Sequence, residues 1–293
     1  MAKDKTKPRP GLDARREEIR KTQAAAASKR RRRIALNTLV AIVIVALAAY
    51  GITLTVMHVK AGERALAVDG DPKVQQITPP NASSDGLAIL ANPGVTMSSE
   101  AITVDLHLDF QSSTTSVALG YYGGGLTQLA QSGAVKLMVH MHISQDAQYT
   151  NTASGRAAIA AACADTVGKF WAYTQALMSA TPSTPTAGQV GFTDAQLQQS
   201  LPSAIGITGD DLTKFQTCYT GRATSKFVEN MDSLNQTTPV PNNTDFATGV
   251  TDVPTILANN QTVDIQTDMN NATDSAETSA ALLQLLATTA GLM

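Results

Sequence analysis

The sequence predicts an α/β domain, residues 85–293, carried behind one N-terminal membrane-spanning helix. Three observations predict it. Residues 101–119, AITVDLHLDFQSSTTSVAL, begin with period-two alternation: Ile102, Val104, Leu106 and Leu108 against Thr103, Asp105, His107 and Asp109. The alternation breaks after Asp109-Phe110 into the hydroxyl cluster Ser112, Ser113, Thr114, Thr115, Ser116, the chemistry of a helix start. A second strand pattern, residues 135–142, follows a helical stretch, so strand, helix and strand make a right-handed parallel crossover. Third, residues 34–59 hold no acidic or basic residue except His58.

In chain order, residues 1–33 are a basic cytoplasmic tail. They hold 13 Lys and Arg against 4 Asp and Glu, a charge of +9. The rest holds 22 − 13 = 9 basic and 24 − 4 = 20 acidic residues, a charge of −11. Such a split places the two ends in different surroundings. The tail is too polar to bury a core. Its run Arg30–Arg33 abuts the apolar segment, so it reads as a positive-inside anchor drawn to anionic lipid rather than as a nucleic-acid binder. Residues 34–59 form the transmembrane helix; residues 39–57 alone reach about 29 Å as a helix, close to the hydrocarbon thickness. A signal peptide cleaved near Ala46-Leu47-Ala48 is the competing reading, but the apolar run continues past that point. The protein is therefore expected as a single-pass protein of the cell membrane, N-terminus cytoplasmic and C-terminal domain extracytoplasmic.

Residues 60–84 read as a linker punctuated by Gly62, Gly70-Asp71-Pro72 and Pro79-Pro80. Ordered structure is expected from Gly86. After the hydroxyl cluster, residues 117–132 read as a helix weakened by Gly123-Gly124-Gly125. Residues 150–235 read as a helical stretch. It holds an Ala-rich helix at 154–164 continued by 166–179, a Pro/Thr/Gly loop at 181–191, a helix at 193–200 capped by Thr193, and one long helix at 210–234. Val253-Pro254-Thr255-Ile256-Leu257 reads as a strand entered by proline, and Asn259-Asn260 as a tight hairpin leading to a return strand at 261–265. Residues 275–292 read as the closing amphipathic helix.

These pieces resemble the DsbA-like thioredoxin family. Members of that family read roughly Asp-Phe-x-Cys-Pro-x-Cys after the first long strand; here Asp109-Phe110 is followed by Ser112, Ser113 and Thr115 at the places of the first cysteine, the proline and the second cysteine. The helical stretch then resembles the family's insert, with Lys169-Phe170-Trp171-Ala172-Tyr173 and Phe215-Gln216-Thr217-Cys218 as local wording. Pro254 falls where the family carries a cis proline facing its active site. The resemblance covers 86–293 and implies a thioredoxin-like fold with a helical insert. It also implies a groove beside Pro254 that holds an extended peptide.

The chemistry the resemblance implies is missing its sulfur. Disulfide exchange needs a thiolate, and an alcohol forms no comparable reversible bond. Ser112 and Thr115 therefore read as degenerate positions with no catalytic role, and the ordinary reading of their hydroxyls is helix capping. Partner contact is expected at Phe110, Ser112, Thr115, Val253 and Pro254. The first functional reading is a redox-inactive, membrane-anchored protein that binds a peptide or partner protein in envelope folding or assembly. The second is a thiol-dependent transferase or isomerase using Ser112 as kappa-class glutathione transferases use their serine. The third is a residual oxidoreductase using Cys163 and Cys218. Those two cysteines fall on helices of the insert, where some actinobacterial relatives carry a structural disulfide; free thiols and a redox switch are the other readings. A serine hydrolase is disfavoured because no Gly-x-Ser-x-Gly elbow is present. His107 and Asp109 share one strand face and His140 and His142 another, a possible metal set; the plainer reading is polar groups lining the sheet, so no metal and no cofactor is expected.

Overall fold

The computed structural model describes residues 73–181, 186–271 and 278–292, all in one unit, Ala65–Met293. The basic tail, the expected transmembrane segment and the start of the linker lie outside the described residues. Among the described residues, no helix is long and apolar enough to cross a membrane.

The described residues begin with chain that is tied down. Ile77 N–H donates to Ala223 O at 2.7 Å, and Asn81 bonds the Asp165 carboxylate through both its backbone and its amide. Order thus starts earlier than Gly86, because these polar groups find partners on the helical insert.

Among the described residues, five strands make the sheet: β1 (Ile89–Leu90), β2 (Ile102–Asp109), β3 (Val135–His142), β4 (Thr255–Ala258) and β5 (Gln261–Thr262). Their order is β1-β3-β2-β4-β5. β2 and β3 are parallel, with Ile102 beside Val135 and Asp109 beside His142; every other pair is antiparallel. Helix α1 (Ser113–Ser132) makes the parallel crossover. It buries Leu119, Tyr122, Leu126 and Leu129 against the sheet, and the closing helix α9 (Ser279–Thr289) packs on it through Leu282 and Leu286. Each such leucine, fully buried, contributes about 2 kcal/mol. The three glycines do not interrupt α1. Gly123 and Gly125 are buried in the packed face.

The expected alternation of β2 holds at its start and then ends. Val104, Leu106 and Leu108 are fully buried, but so is the polar face from His107 onward. The insert comprises α2 (Gln145–Tyr149), α3 (Ala153–Asp165), α4 (Phe170–Ala180), a π-helical turn at Gln196–Ser200 with α5 (Leu201–Ala204), α6 (Gly209–Thr220) and α7 (Ser225–Thr237); α3 and α7 pack on β3, and Gln145 at the start of α2 bonds Asp109.

The insert has more breaks than its sequence suggests. The expected continuation from 164 into 166–179 is interrupted by Gly168, whose φ of +66° ends one helix and lets α4 start in a new direction. The expected single helix at 210–234 is two, α6 and α7, broken where Arg222 takes φ +52°. Its guanidinium lies 4.2 Å over the Tyr219 ring. Arg156, fully buried, donates to Val190 O and Phe192 O and faces Asp194, which also accepts from the Tyr219 hydroxyl at 2.6 Å. Thr193 begins its helix as expected: it accepts from Gln196 N–H while Gln196 Oε1 accepts from Thr193 N–H.

The Asn259-Asn260 hairpin forms with φ of 47° and 70°, the left-handed pair that a tight turn needs. The return strand is shorter than expected: β5 ends at Thr262, and α8 (Ile265–Asn271) begins where the strand was to finish.

Candidate functional site

β2 delivers the site. It runs parallel to β3 and antiparallel to β4, with His107 opposite Thr255. The end of β2, the start of α1 and the entry to β4 therefore meet at one end of the sheet. The Val253–Pro254 peptide is cis.

The start of α1 is capped by Ser112. Its side chain accepts from Thr115 N–H at 3.2 Å and lies 2.8 Å from Thr114 Oγ1. Ser112 N–H donates to Asp109 O, and Ser116 Oγ donates to Met178 O. The hydroxyl of Ser112 is thus occupied by the helix that it starts. Thr115 is fully buried, and its Oγ1 has no hydrogen-bond partner.

Behind the corner lies a buried polar network that sequence reasoning missed. The Asp109 carboxylate accepts from Gln111 N–H at 2.9 Å, Gln145 N–H at 3.0 Å and Ser154 Oγ–H at 2.5 Å. Burial pushes its carboxyl up to about 7. The Gln111 amide reaches Asp146, Asn151 and Ser154, and Asp146 accepts from the backbone N–H of Ser154 and Gly155. Burial raises Asp146 as well. This network joins the end of β2 to α2 and α3, so it sets the corner by its fixed geometry.

The expected contact residues divide. Val253 and Pro254 are half-buried and reachable, whereas Phe110, Ser112 and Thr115 are buried. The surface at the corner is instead made by Ser113, Thr114 and Val117, the last 60% exposed. A shallow groove continues along α1 from there, lined by Ser116, Leu119, Gly120, Gly124 and Met178.

The four residues weighed for a metal do not converge as a set. Asp109 is taken by the network above. The three histidines cluster with one another: His107 stacks on His140 with ring centroids 4.1 Å apart, and His107 Nδ1 lies 3.0 Å from His142 Nε2. His140 Nε2 faces Asp105 Oδ1 and its Nδ1 faces Asn235 Oδ1, both at 2.9 Å. Among the described residues, no group of three or more His, Cys, Asp or Glu has the arrangement of a metal site.

Both cysteines of the chain are in one bond. Cys163 on α3 and Cys218 on α6 form a disulfide with S–S 1.98 Å and Cα–Cα 5.7 Å. Cys163 stands nine residues along α3 from Ser154, which touches Asp109, so about 13 Å of helix separates the bond from that network.

Sheet order, crossover, insert and proline entry together define a thioredoxin-like fold of the DsbA type. The solved structure of the MdbA protein from Actinomyces oris, a thiol-disulfide oxidoreductase, shares that fold: TM-score 0.55 at 15% identity, covering 76% of this chain and 98% of that one. Reduced DsbA from Mycobacterium tuberculosis aligns at TM-score 0.49 and 19% identity over 70% of this chain and 93% of its own. Oxidised BdbD from Bacillus subtilis aligns at 0.47 and 15% over 74% and 98%. No family model matches the sequence, and no curated protein matches it.

Proposed function

We propose that this chain is a redox-inactive, membrane-anchored form of the DsbA-like domain that holds an extended peptide or a partner protein outside the cytoplasm. The single observation that carries the reading is the placement of sulfur and oxygen. Hydroxyls occupy the start of α1, and the only two cysteines are bonded to each other inside the insert. Without a thiolate the corner has no nucleophile for disulfide exchange. What remains there is a surface: Val253 and Pro254 at the entry to β4, Ser113, Thr114 and Val117 on α1, and the groove beyond. The entry to β4 suits main-chain pairing with an extended segment, which gives affinity without chemistry. The anchor is the apolar stretch 34–59 behind its basic run.

The transferase reading loses support because the Ser112 hydroxyl is engaged at both of its close contacts. The residual oxidoreductase reading loses support because Cys163 is fully buried and Cys218 nearly so.

A photo-crosslinking residue at Val253 tests the reading. The full-length protein in its membrane is expected to give a discrete adduct with an extracytoplasmic polypeptide, competed by unfolded peptide. The same probe at Val190, exposed but on the insert loop, is the control. Equal labelling at both positions would contradict the proposal.

A further inference from the structure

The histidine cluster lies against the partner face on two sides. His107 is the register partner of Thr255, the first residue of β4 after Pro254. His140 contacts Asn235, whose backbone carbonyl accepts from Val250 N–H at 2.7 Å. Gly249 packs on the backbone of Gln236 so closely, at φ +130°, that any Cβ would overlap it. The last turn of α7 therefore holds the chain at Gly249 and Val250 and touches His140, while Asp232, one turn earlier, faces His142.

We propose that His107, His140 and His142 form an acid-operated latch: the closed cluster has room for one proton charge, and taking up more requires the end of α7 and the segment 249–255 to open, which releases whatever is held beside Pro254. The latch itself stands on the geometry; its release step rests on the partner-binding reading above.

Two contacts limit the closed cluster. The stacked pair at 4.1 Å cannot carry two charges without strong repulsion. The 3.0 Å contact between His107 Nδ1 and His142 Nε2 needs one donor and one acceptor, so it fails when both rings are protonated. His140 sets its two nitrogens against Asp105 Oδ1 and Asn235 Oδ1, both at 2.9 Å. The other charged groups facing the cluster are acidic. Asp232 on α7 lies 3.8 Å from His142 Nδ1, a nitrogen with no hydrogen-bond partner, and Asp85 in the turn before β1 interacts with the His140 charge. Burial, with the neighbouring rings, holds His107 well below the usual imidazole range; burial, with His140, holds His142 down at about 3.

The sign follows from linkage. An opened cluster regains ordinary imidazoles that charge below about pH 6.5, while the closed one refuses these protons. Opening is therefore favoured by up to about tenfold per pH unit for each of two histidines, about a hundredfold for both.

Hydrogen exchange of the full-length protein in detergent micelles from pH 7.5 to pH 4.5 reads this directly. Protection factors across 249–255 and the last turn of α7 are expected to fall at least about tenfold per pH unit below pH 6.5, while those of α3 hold. In His142→Gln the slope is expected to fall by about tenfold per pH unit. Equal slopes in the two proteins, or protection that is flat with pH, overturns the latch. Should the variant fail to fold, imidazole nitrogen spectra of the wild type decide: His107 and His142 neutral at pH 5.5 in the protected state supports it, and both charged there overturns it. The Val253 crosslink at pH 7.5 and pH 5 separates the two layers. An adduct lost at pH 5 together with protection supports release; an adduct that persists while the segment opens removes the release step; no adduct at either pH defeats the partner reading and leaves the latch to the exchange result.

Discussion

Two regions of this domain invite comparison: the start of α1, where the fold usually carries sulfur, and the junction of α3 and α6, where this chain has it. At the first, Ser112 and Thr115 are oxygens, one tied into a helix cap and the other buried with no partner. At the second, Cys163 and Cys218 close a sequence separation of 55 residues. Sulfur serves opposite ends according to its setting. A thiol at a helix start and near solvent is a reagent; a disulfide packed between helices is a fastener. On the proposed reading, this chain keeps the fastener and has dropped the reagent.

Replacing both cysteines by alanine is expected to cost about 4 kcal/mol, the loop-closure entropy of about 55 residues returned to the unfolded chain. Urea unfolding of the wild type and the double variant checks it. A loss below about 1 kcal/mol would make the bond incidental and reopen a redox role for it.

Asp109 sharpens the contrast from the other side. Its folded carboxyl stands near 7 against 3.8 in the unfolded chain, so the folded state binds its proton more tightly. Stability from this group is full below about pH 4 and is lost as pH rises through 7. Asp109→Asn cannot lose it. The stability of the variant relative to wild type is therefore expected to climb by about 1.4 kcal/mol per pH unit from about pH 4 to 7. A flat difference would mean the carboxylate is charged throughout.

The two hydroxyls should then part company. Ser112→Ala removes the cap of a 20-residue helix and is expected to cost about 1 kcal/mol. Thr115→Val replaces a buried, unpartnered hydroxyl with a methyl of the same shape and is expected to be neutral or to stabilise by up to about 1 kcal/mol. Matching losses at both positions would indicate a bound group that engages Thr115. Thermal denaturation distinguishes the outcomes.

Much of the fold was legible because its signals are local. β2 and β3 alternate in sequence, Ser112 announces α1, and Asn259-Asn260 announces its hairpin. The insert was legible as helix but not in its breaks, since those depend on Gly168 and Arg222 adopting positive φ for packing reasons. The corner was half legible. Ser112 and Thr115 were found by their spacing after Asp109-Phe110, but not their burial. The proper partners of the histidines were hidden in strand register. Only the pairing of Ile102 with Val135 sets His107 beside His140, and only α7, far along the chain, brings Asn235 and Asp232 to them. The polar network around Asp109 depends in the same way on α2 and α3 folding over the sheet end.

The most direct test of the central claim is reduction of insulin disulfides by dithiothreitol with and without the full-length protein. The uncatalysed rate is expected at every protein concentration. Acceleration that scales with protein and disappears in Cys163→Ala would contradict it.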